Sequence, residues 1–258
     1  MVKKIAFINQ KGGVGKTTTS FNFAAYHTRL GEKVLGIDID PQGNFTYNCG
    51  AEVPEDGKTI ADLLLKKCTF DECVINTKYC DLLPANLDLT MSEMTIAAKQ
   101  YKETLLSAAL KNIIDQYDYI VVDCPPAFNV FVYNGLNFVD QICIVTRAQT
   151  FALMGIKQIL TVLDGTNEAS GRNVKIAGMI VTAYEPKAAA AKAILEVLEN
   201  YGTKKGFKVI DSKISKSNMV ENSQNAQESI FDFAPKSKPA LEYLAAFAEL
   251  DKYISEGE

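Results

Sequence analysis

The run Lys11-Gly12-Gly13-Val14-Gly15-Lys16-Thr17-Thr18 constrains this chain more than any other feature. It follows a short apolar stretch, residues 4–9, and opens a helix-patterned stretch, residues 17–30. A strand, a glycine-rich turn and a helix in that order make an anion site. Glycines let backbone N–H groups turn toward the anion with no Cβ in the way, and the helix N-terminus adds partial positive charge. Lys16 is placed to reach β- and γ-phosphates, and the Thr17 hydroxyl to ligate Mg2+. The ordinary phosphate-loop spacing, G-x-x-x-x-G-K-[ST], would put glycine at position 10. This chain has Gln10 there and carries a second lysine, Lys11.

Two more motifs close apolar runs. Asp38-Ile39-Asp40-Pro41-Gln42-Gly43-Asn44 ends the run over residues 33–39. A carboxylate there can orient an attacking water or a magnesium-bound water, and Pro41 and Gly43 predict a turn suited to a nucleotide-sensing switch. Ile120-Val121-Val122-Asp123-Cys124-Pro125-Pro126 has the Walker B form, an apolar strand ending in aspartate. Asp123 would hold Mg2+ facing Thr17, with Asp38 as a further metal-side carboxylate.

Apolar runs rich in β-branched residues alternate with helical patterns along the chain. Strands are predicted over residues 4–9, 33–39, 119–123, 141–145, 174–182 and 208–210. Helices are predicted over 17–30, 59–66, 101–116, 130–138, 151–166, 188–201 and 239–254. Thr59 and Asp62 have the spacing of a reciprocal helix cap. The fold class is therefore α/β: a mostly parallel, twisted sheet with helices on both faces. Such sheets bind ligands beyond the carboxyl ends of their strands, which is where all three motifs fall.

Composition sets limits on function. The chain has 258 residues, 47% apolar and 22% charged, which suits a single folded domain over 1–258 and excludes wholesale disorder. Its net charge of −4 makes any nucleic-acid contact a local patch. The six cysteines include no Cys-x-x-Cys pair, and His27 is the only histidine, so a clustered metal site is not expected. No apolar stretch approaches the ~20 residues of a membrane span. A cytoplasmic protein is expected. The first strand begins almost at residue 1, so no N-terminal helix-turn-helix domain is expected.

With these motifs in place, the sequence resembles the ParA/MinD/Soj group of deviant Walker A ATPases, from Lys4 to about Tyr253. Lys11 matches the group's signature lysine, which reaches across a dimer interface to the partner's nucleotide. Asp40 matches the switch aspartate needed for hydrolysis, and Asp123 the magnesium-associated aspartate. The resemblance implies ATP and Mg2+ as cofactors, an ATP-sandwich homodimer, and catalysis by Lys11, Lys16 and Asp40. Asp38–Asn44, Leu83-Pro84-Ala85-Asn86 and Ala152-Leu153-Met154-Gly155 resemble the partition branch. That branch implies plasmid or chromosome partition with a ParB-like centromere-binding protein, and nucleoid association in the ATP state. One stretch departs from it. Partition relatives carry Ile-Pro-Arg-Asn near the last strand, with the arginine contributing to DNA binding; here the stretch reads Ile214-Ser215-Lys216-Ser217-Asn218, and Met219 stands where a further arginine is expected. Ser217 and Asn218 are candidates for holding adenine.

Residues 171–216 hold nine basic and four acidic side chains in a chain that is acidic overall. This asymmetry predicts an anionic partner, read as non-specific duplex DNA contacted at the phosphates by Lys187, Lys204, Lys205 and Lys216. The rival readings fit less well. A MinD-like membrane switch needs a basic amphipathic C-terminal helix, and residues 245–258 are acidic. An iron–sulfur reductase needs paired cluster cysteines that Cys124 and Cys143 do not supply. A metabolic ligase on the same fold stays open, as does a nucleotide-binding module without turnover.

Overall fold

The computed structural model describes residues 1–255; the end of the acidic tail, residues 256–258, lies outside the described residues. The apolar runs form β1 (Lys3–Ile8), β2 (Val34–Asp38), β3 (Ile75–Asn76), β4 (Asp81–Leu83), β5 (Tyr119–Asp123), β6 (Gln141–Thr146) and β7 (Lys175–Val181). Among the described residues these make one sheet in the order β3-β4-β2-β5-β1-β6-β7. Every neighbouring pair is parallel except β3 with β4, as expected of a mostly parallel sheet. The helices are α1 (Lys16–Arg29), α2 (Asn44–Asn48), α3 (Ile60–Leu65), α4 (Phe70–Cys73), α5 (Asp88–Ala97), α6 (Leu105–Leu110), α7 (Val130–Phe138), α8 (Ala152–Ser170), α9 (Ala189–Lys205), α10 (Asn218–Asn225), α11 (Ile230–Phe233) and α12 (Lys238–Ser255).

Period-two alternation along the strands divides the core between the two faces of the sheet. Ile5, Phe7 and Val121 join Phe21 and Phe23 of α1 and Tyr243, Phe247 and Leu250 of α12. Ala6, Ile8, Ile120 and Val122 join Phe131 and Leu136 of α7 and Ile156 and Ile159 of α8. Phe23 stacks edge-on against Phe247 at 5.2 Å and tilts against Phe7 at 5.3 Å, tying α1, α12 and β1 together. Each such fully buried aromatic contributes roughly 1.5–3 kcal/mol of transfer free energy. Central strands covered on both faces need continuous apolar sequence, which is why they stand out in this chain.

Several expected elements differ from those observed. The helix expected over 101–116 breaks into a 3-10 turn (Lys102–Thr104), α6 and a second 3-10 turn (Ile114–Gln116). The cause lies on α7. Buried Asn134 accepts a hydrogen bond from Leu106 N and donates to Lys102 O at 2.6 Å, so tertiary contacts replace the helical ladder there. The strand expected over 208–210 is reduced to one parallel bridge, Met179 with Val209. Elements with weak periodicity or only a few residues, β3, β4, α2, α4, α5, α10 and α11, were not anticipated.

Candidate functional site

The carboxyl ends of β1, β2 and β5 lie side by side because Phe7 pairs with Asp123 and Asp38 pairs with Asp123 in register. The glycine-rich loop leaves β1 at this edge. Gly15 precedes α1 at φ 88°, a left-handed conformation that favours glycine. The loop is pinned on both sides. Asn9 accepts from Lys11 N at 2.9 Å and donates to Val145 O at 2.6 Å; Thr182 Oγ1 donates to Val14 O at 2.5 Å.

Thr17 Oγ1 donates to Asp123 Oδ2 at 2.7 Å, and Ser20 Oγ donates to Asp123 Oδ1 at 2.9 Å. Asp38 takes a different set of donors. Its Oδ2 accepts from both the backbone N and the hydroxyl of Thr46 at 2.9 Å, and its Oδ1 accepts from Asp40 N at 3.1 Å. Asp38 thereby holds the segment between β2 and α2 in place. Asp40 accepts from Gln42 N at 3.0 Å and is 6% exposed. Gly43 turns this segment at φ 63°, and a Cβ there would fall 2.8 Å from Ala85 O, too close to fit. The turn expected after Asp40 is present, and it leads directly into α2.

Asp38 and Asp123 are both fully buried. Burial pushes the Asp38 carboxyl well above its usual range, and the Asp123 charge adds to the shift. Burial also pushes Asp123 up, against the hydrogen bond from Thr17, the positive charge of Lys16 and the hydrogen bond from Ser20. Carboxylates crowded beside a hydroxyl at strand ends, with their charge unfavourable in the bare protein, suit a divalent cation that offsets that charge. The oxygen-only donor set fits Mg2+, with Thr17 and Asp123 nearest to hand.

A cleft of about 540 Å3 opens beside this edge. The loop residues Gly12 to Thr18 form one wall, with Asp40 and Pro126 near them, and Ser217, Asn218, Glu221 and Gln224 of α10 and its cap face it. The cleft thus joins a phosphate cradle to a more distant polar wall, the shape a nucleotide needs.

Residues 2–176 match the family described as an AAA domain. The chain is 30% identical to the sporulation initiation inhibitor protein Soj of Bacillus subtilis over 246 residues, 95% of this chain and 96% of that protein. It is 31% identical to the chromosome partitioning protein ParA of Myxococcus xanthus over 250 residues, 96% of this chain and 87% of that protein. The chain belongs to the ParA/Soj family of partition ATPases. Among solved structures it is similar to cobyrinic acid a,c-diamide synthase from Mycobacterium smegmatis with bound ATP analog and magnesium. That match has a TM-score of 0.85 at 25% identity, covering 100% of this chain and 98% of the other.

The two loop lysines occupy different places. Lys16 is buried and lines the cleft, with Nζ 3.5 Å from Lys11 O. Lys11 is exposed, and its Nζ donates to Gln149 Oε1 at 3.1 Å, on the surface that carries Phe151. Ser217 and Asn218, the candidates for holding adenine, lie on the cleft wall, and Ser217 caps α10 by accepting from Met219 N at 3.2 Å.

The four lysines expected to contact DNA do not form one patch. Lys187 lies just before the N-terminus of α9, and Lys204 and Lys205 lie in its last turn. Seventeen helical residues separate these ends by about 25 Å. Lys216 borders the nucleotide cleft and pairs with Glu185 at 3.3 Å. Other cations of the basic segment are also partnered: Arg172 by Asp140, Lys208 by Asp211 and Lys213 by Glu199.

Sequence reasoning missed Arg147 and Thr182, which line the cleft from the ends of β6 and β7. The rule that placed the first three motifs, a ligand beyond the carboxyl ends of parallel strands, would have found both.

Proposed function

We propose that this chain is a partition switch of the ParA type: it binds Mg-ATP in the cleft, pairs with a second copy in the ATP state, and hydrolyses ATP to ADP and phosphate. The observation that carries the reading is the outward placement of Lys11. A loop lysine that only neutralised its own nucleotide would share the cleft with Lys16. Lys11 instead stands on the exposed face beside Gln149 and Phe151, where a second subunit can receive it.

ATP is the substrate. Magnesium, when bound, neutralises phosphate charge, and Thr17 and Asp123 hold it, with Asp38 behind them. Lys16 stabilises charge on the β- and γ-phosphates from within the subunit, and Lys11 does so from the partner. Asp40, fixed by Gln42 N and linked through its own N–H to Asp38, orients the attacking water. Backbone N–H groups of Gly12 to Thr18 cradle the phosphates, and Ser217 and Asn218 face the base.

The family role extends the reading. A dimer doubles the lysines presented on one rigid body, so the ATP state binds duplex DNA without sequence preference and the ADP state releases it. A ParB-like partner supplies the signal for hydrolysis. The protein works in the cytoplasm, on the nucleoid when ATP-bound; among the described residues no helix is long and apolar enough to cross a membrane. Residues 1–258 act as a single ATPase domain.

A metabolic ligase is the second reading, favoured by the likeness to the diamide synthase. The two separate on one assay. A switch hydrolyses ATP with water alone and is stimulated by DNA and a partner protein; a ligase turns over only with its organic acceptor. Absence of turnover with DNA and partner present would overturn the switch.

A further inference from the structure

Arg147 is the first residue after β6, and its backbone is fixed. Its carbonyl accepts from Gln149 N at 2.8 Å, and the preceding Thr146 O accepts from Thr182 N at 2.8 Å. Its side chain is another matter. Arg147 Nε is buried and has no hydrogen-bond partner, and among the described residues no carboxylate pairs with the guanidinium. Of the buried polar atoms left without a partner among the described residues, it alone belongs to a residue lining the nucleotide cleft. Arg172 Nε also lacks a partner, but that guanidinium is held through its Nη2 by Val139 O and Asp140. His27 Nε2 lies 3.3 Å from Asp251.

A guanidinium keeps its charge at any physiological pH and presents a rigid fork of donors. Buried donors in folded proteins are nearly always satisfied, and one left open at a ligand cleft calls for an acceptor from the ligand. Arg147 borders both the hollow beside Lys11, Gln149 and Phe151 and the nucleotide cleft; in the cleft it is joined by Val14 of the phosphate loop and by Thr182, whose Oγ1 donates to both Val14 O and Thr146 O. The acceptor chemistry that fits is an anionic phosphate oxygen. We propose that Arg147 is a third cationic nucleotide-binding residue, donating from its guanidinium to the phosphate chain of the nucleotide in its own cleft, beside Lys16. This rests on the cleft being an ATP site, as argued above. A guanidinium can donate two parallel hydrogen bonds to phosphate, which lysine cannot reproduce in full.

The test is calorimetric titration of Mg-ATP and of adenosine into wild type, Arg147→Lys, Arg147→Met and Lys16→Ala, with melting temperatures of each protein with and without Mg-ATP. A charge-assisted hydrogen bond corresponds to about 10–100-fold in affinity. Arg147→Met should lose Mg-ATP affinity by that factor and Arg147→Lys by less, with any adenosine binding unchanged. The nucleotide-free melting temperature of Arg147→Met should hold or rise, because an unpartnered buried donor is gone, while the rise caused by Mg-ATP shrinks. A packing role gives the opposite pattern: the nucleotide-free protein loses stability and the gain from Mg-ATP is kept. That pattern, or wild-type Mg-ATP affinity in both Arg147 variants, overturns the proposal alone, provided wild type binds Mg-ATP and Lys16→Ala does not. Wild type failing to bind Mg-ATP overturns the ATP-site reading, and the proposal with it.

Discussion

Thr17 Oγ1 lies 2.7 Å from Asp123 Oδ2, joining the first turn of α1 to the end of β5. The bond links two motifs 106 residues apart in sequence, and both are groups from which a magnesium site is built. Thr17→Ala removes one oxygen and leaves Asp123 with Ser20 alone. The expected outcome is a loss of roughly 10–100-fold in ATP affinity with magnesium present, and little change in excess chelator, measured by titration in both conditions.

Asp123→Asn separates binding from stability. The ionised carboxyl is disfavoured in the folded state because burial raises its pKa, so at neutral pH its charge opposes folding in the bare protein. Removing the charge should leave the nucleotide-free melting temperature equal or a few degrees higher, while magnesium-dependent ATP binding falls. A clear loss of thermal stability without ligand would show that Asp123 serves packing more than the metal.

Hydrolysis should depend on Asp40 more than binding does. Asp40→Ala removes the acceptor of Gln42 N and the group argued to orient water. The variant is expected to bind Mg-ATP within a few-fold of wild type and to turn over at least about 100-fold more slowly, the scale of a positioned general base or orienting group. Phosphate release assays read this directly; turnover at the wild-type rate removes Asp40 from the chemistry.

The positions of the four lysines make the DNA account divisible. Charge reversal at Lys204 and Lys205 alters one end of α9, and reversal at Lys187 alters the other. DNA binding measured across a salt titration should weaken for one group far more than for the other, because the proposed rigid dimer would present one of these ends to a duplex. The log–log salt slope should become shallower by about 0.9 for each DNA phosphate that the variant no longer neutralises. Equal, small effects at both ends would place the DNA surface elsewhere.

Much of this was legible in the sequence, for reasons particular residues make plain. Central strands such as Ile120-Val121-Val122 are apolar on both faces, so burial writes itself into the sequence. Gly12 to Thr18 carry backbone requirements that few other residues meet. The break in the helix expected over 101–116 was not legible, because its cause, Asn134, lies on another helix. The separation of the lysines was legible, since the helix expected over 188–201 already sets Lys187 before one end and Lys204 and Lys205 beyond the other; a charge count over residues 171–216 averages that separation away. The place of Arg147 at the end of β6 was legible from the strand pattern, but its lack of a partner was not, because that depends on the burial of Nε in the folded chain.

The central claim is that Lys11 serves a neighbouring subunit, and light scattering tests it most directly. The Asp40→Ala protein, expected to be hydrolysis-deficient, should have twice the monomer mass in Mg-ATP, and the monomer mass in ADP. Adding Lys11→Ala to it should return the mass in Mg-ATP to that of a monomer while ATP still binds. A Lys11→Ala, Asp40→Ala protein that remains dimeric in Mg-ATP, to the same extent as Asp40→Ala alone, would contradict the account.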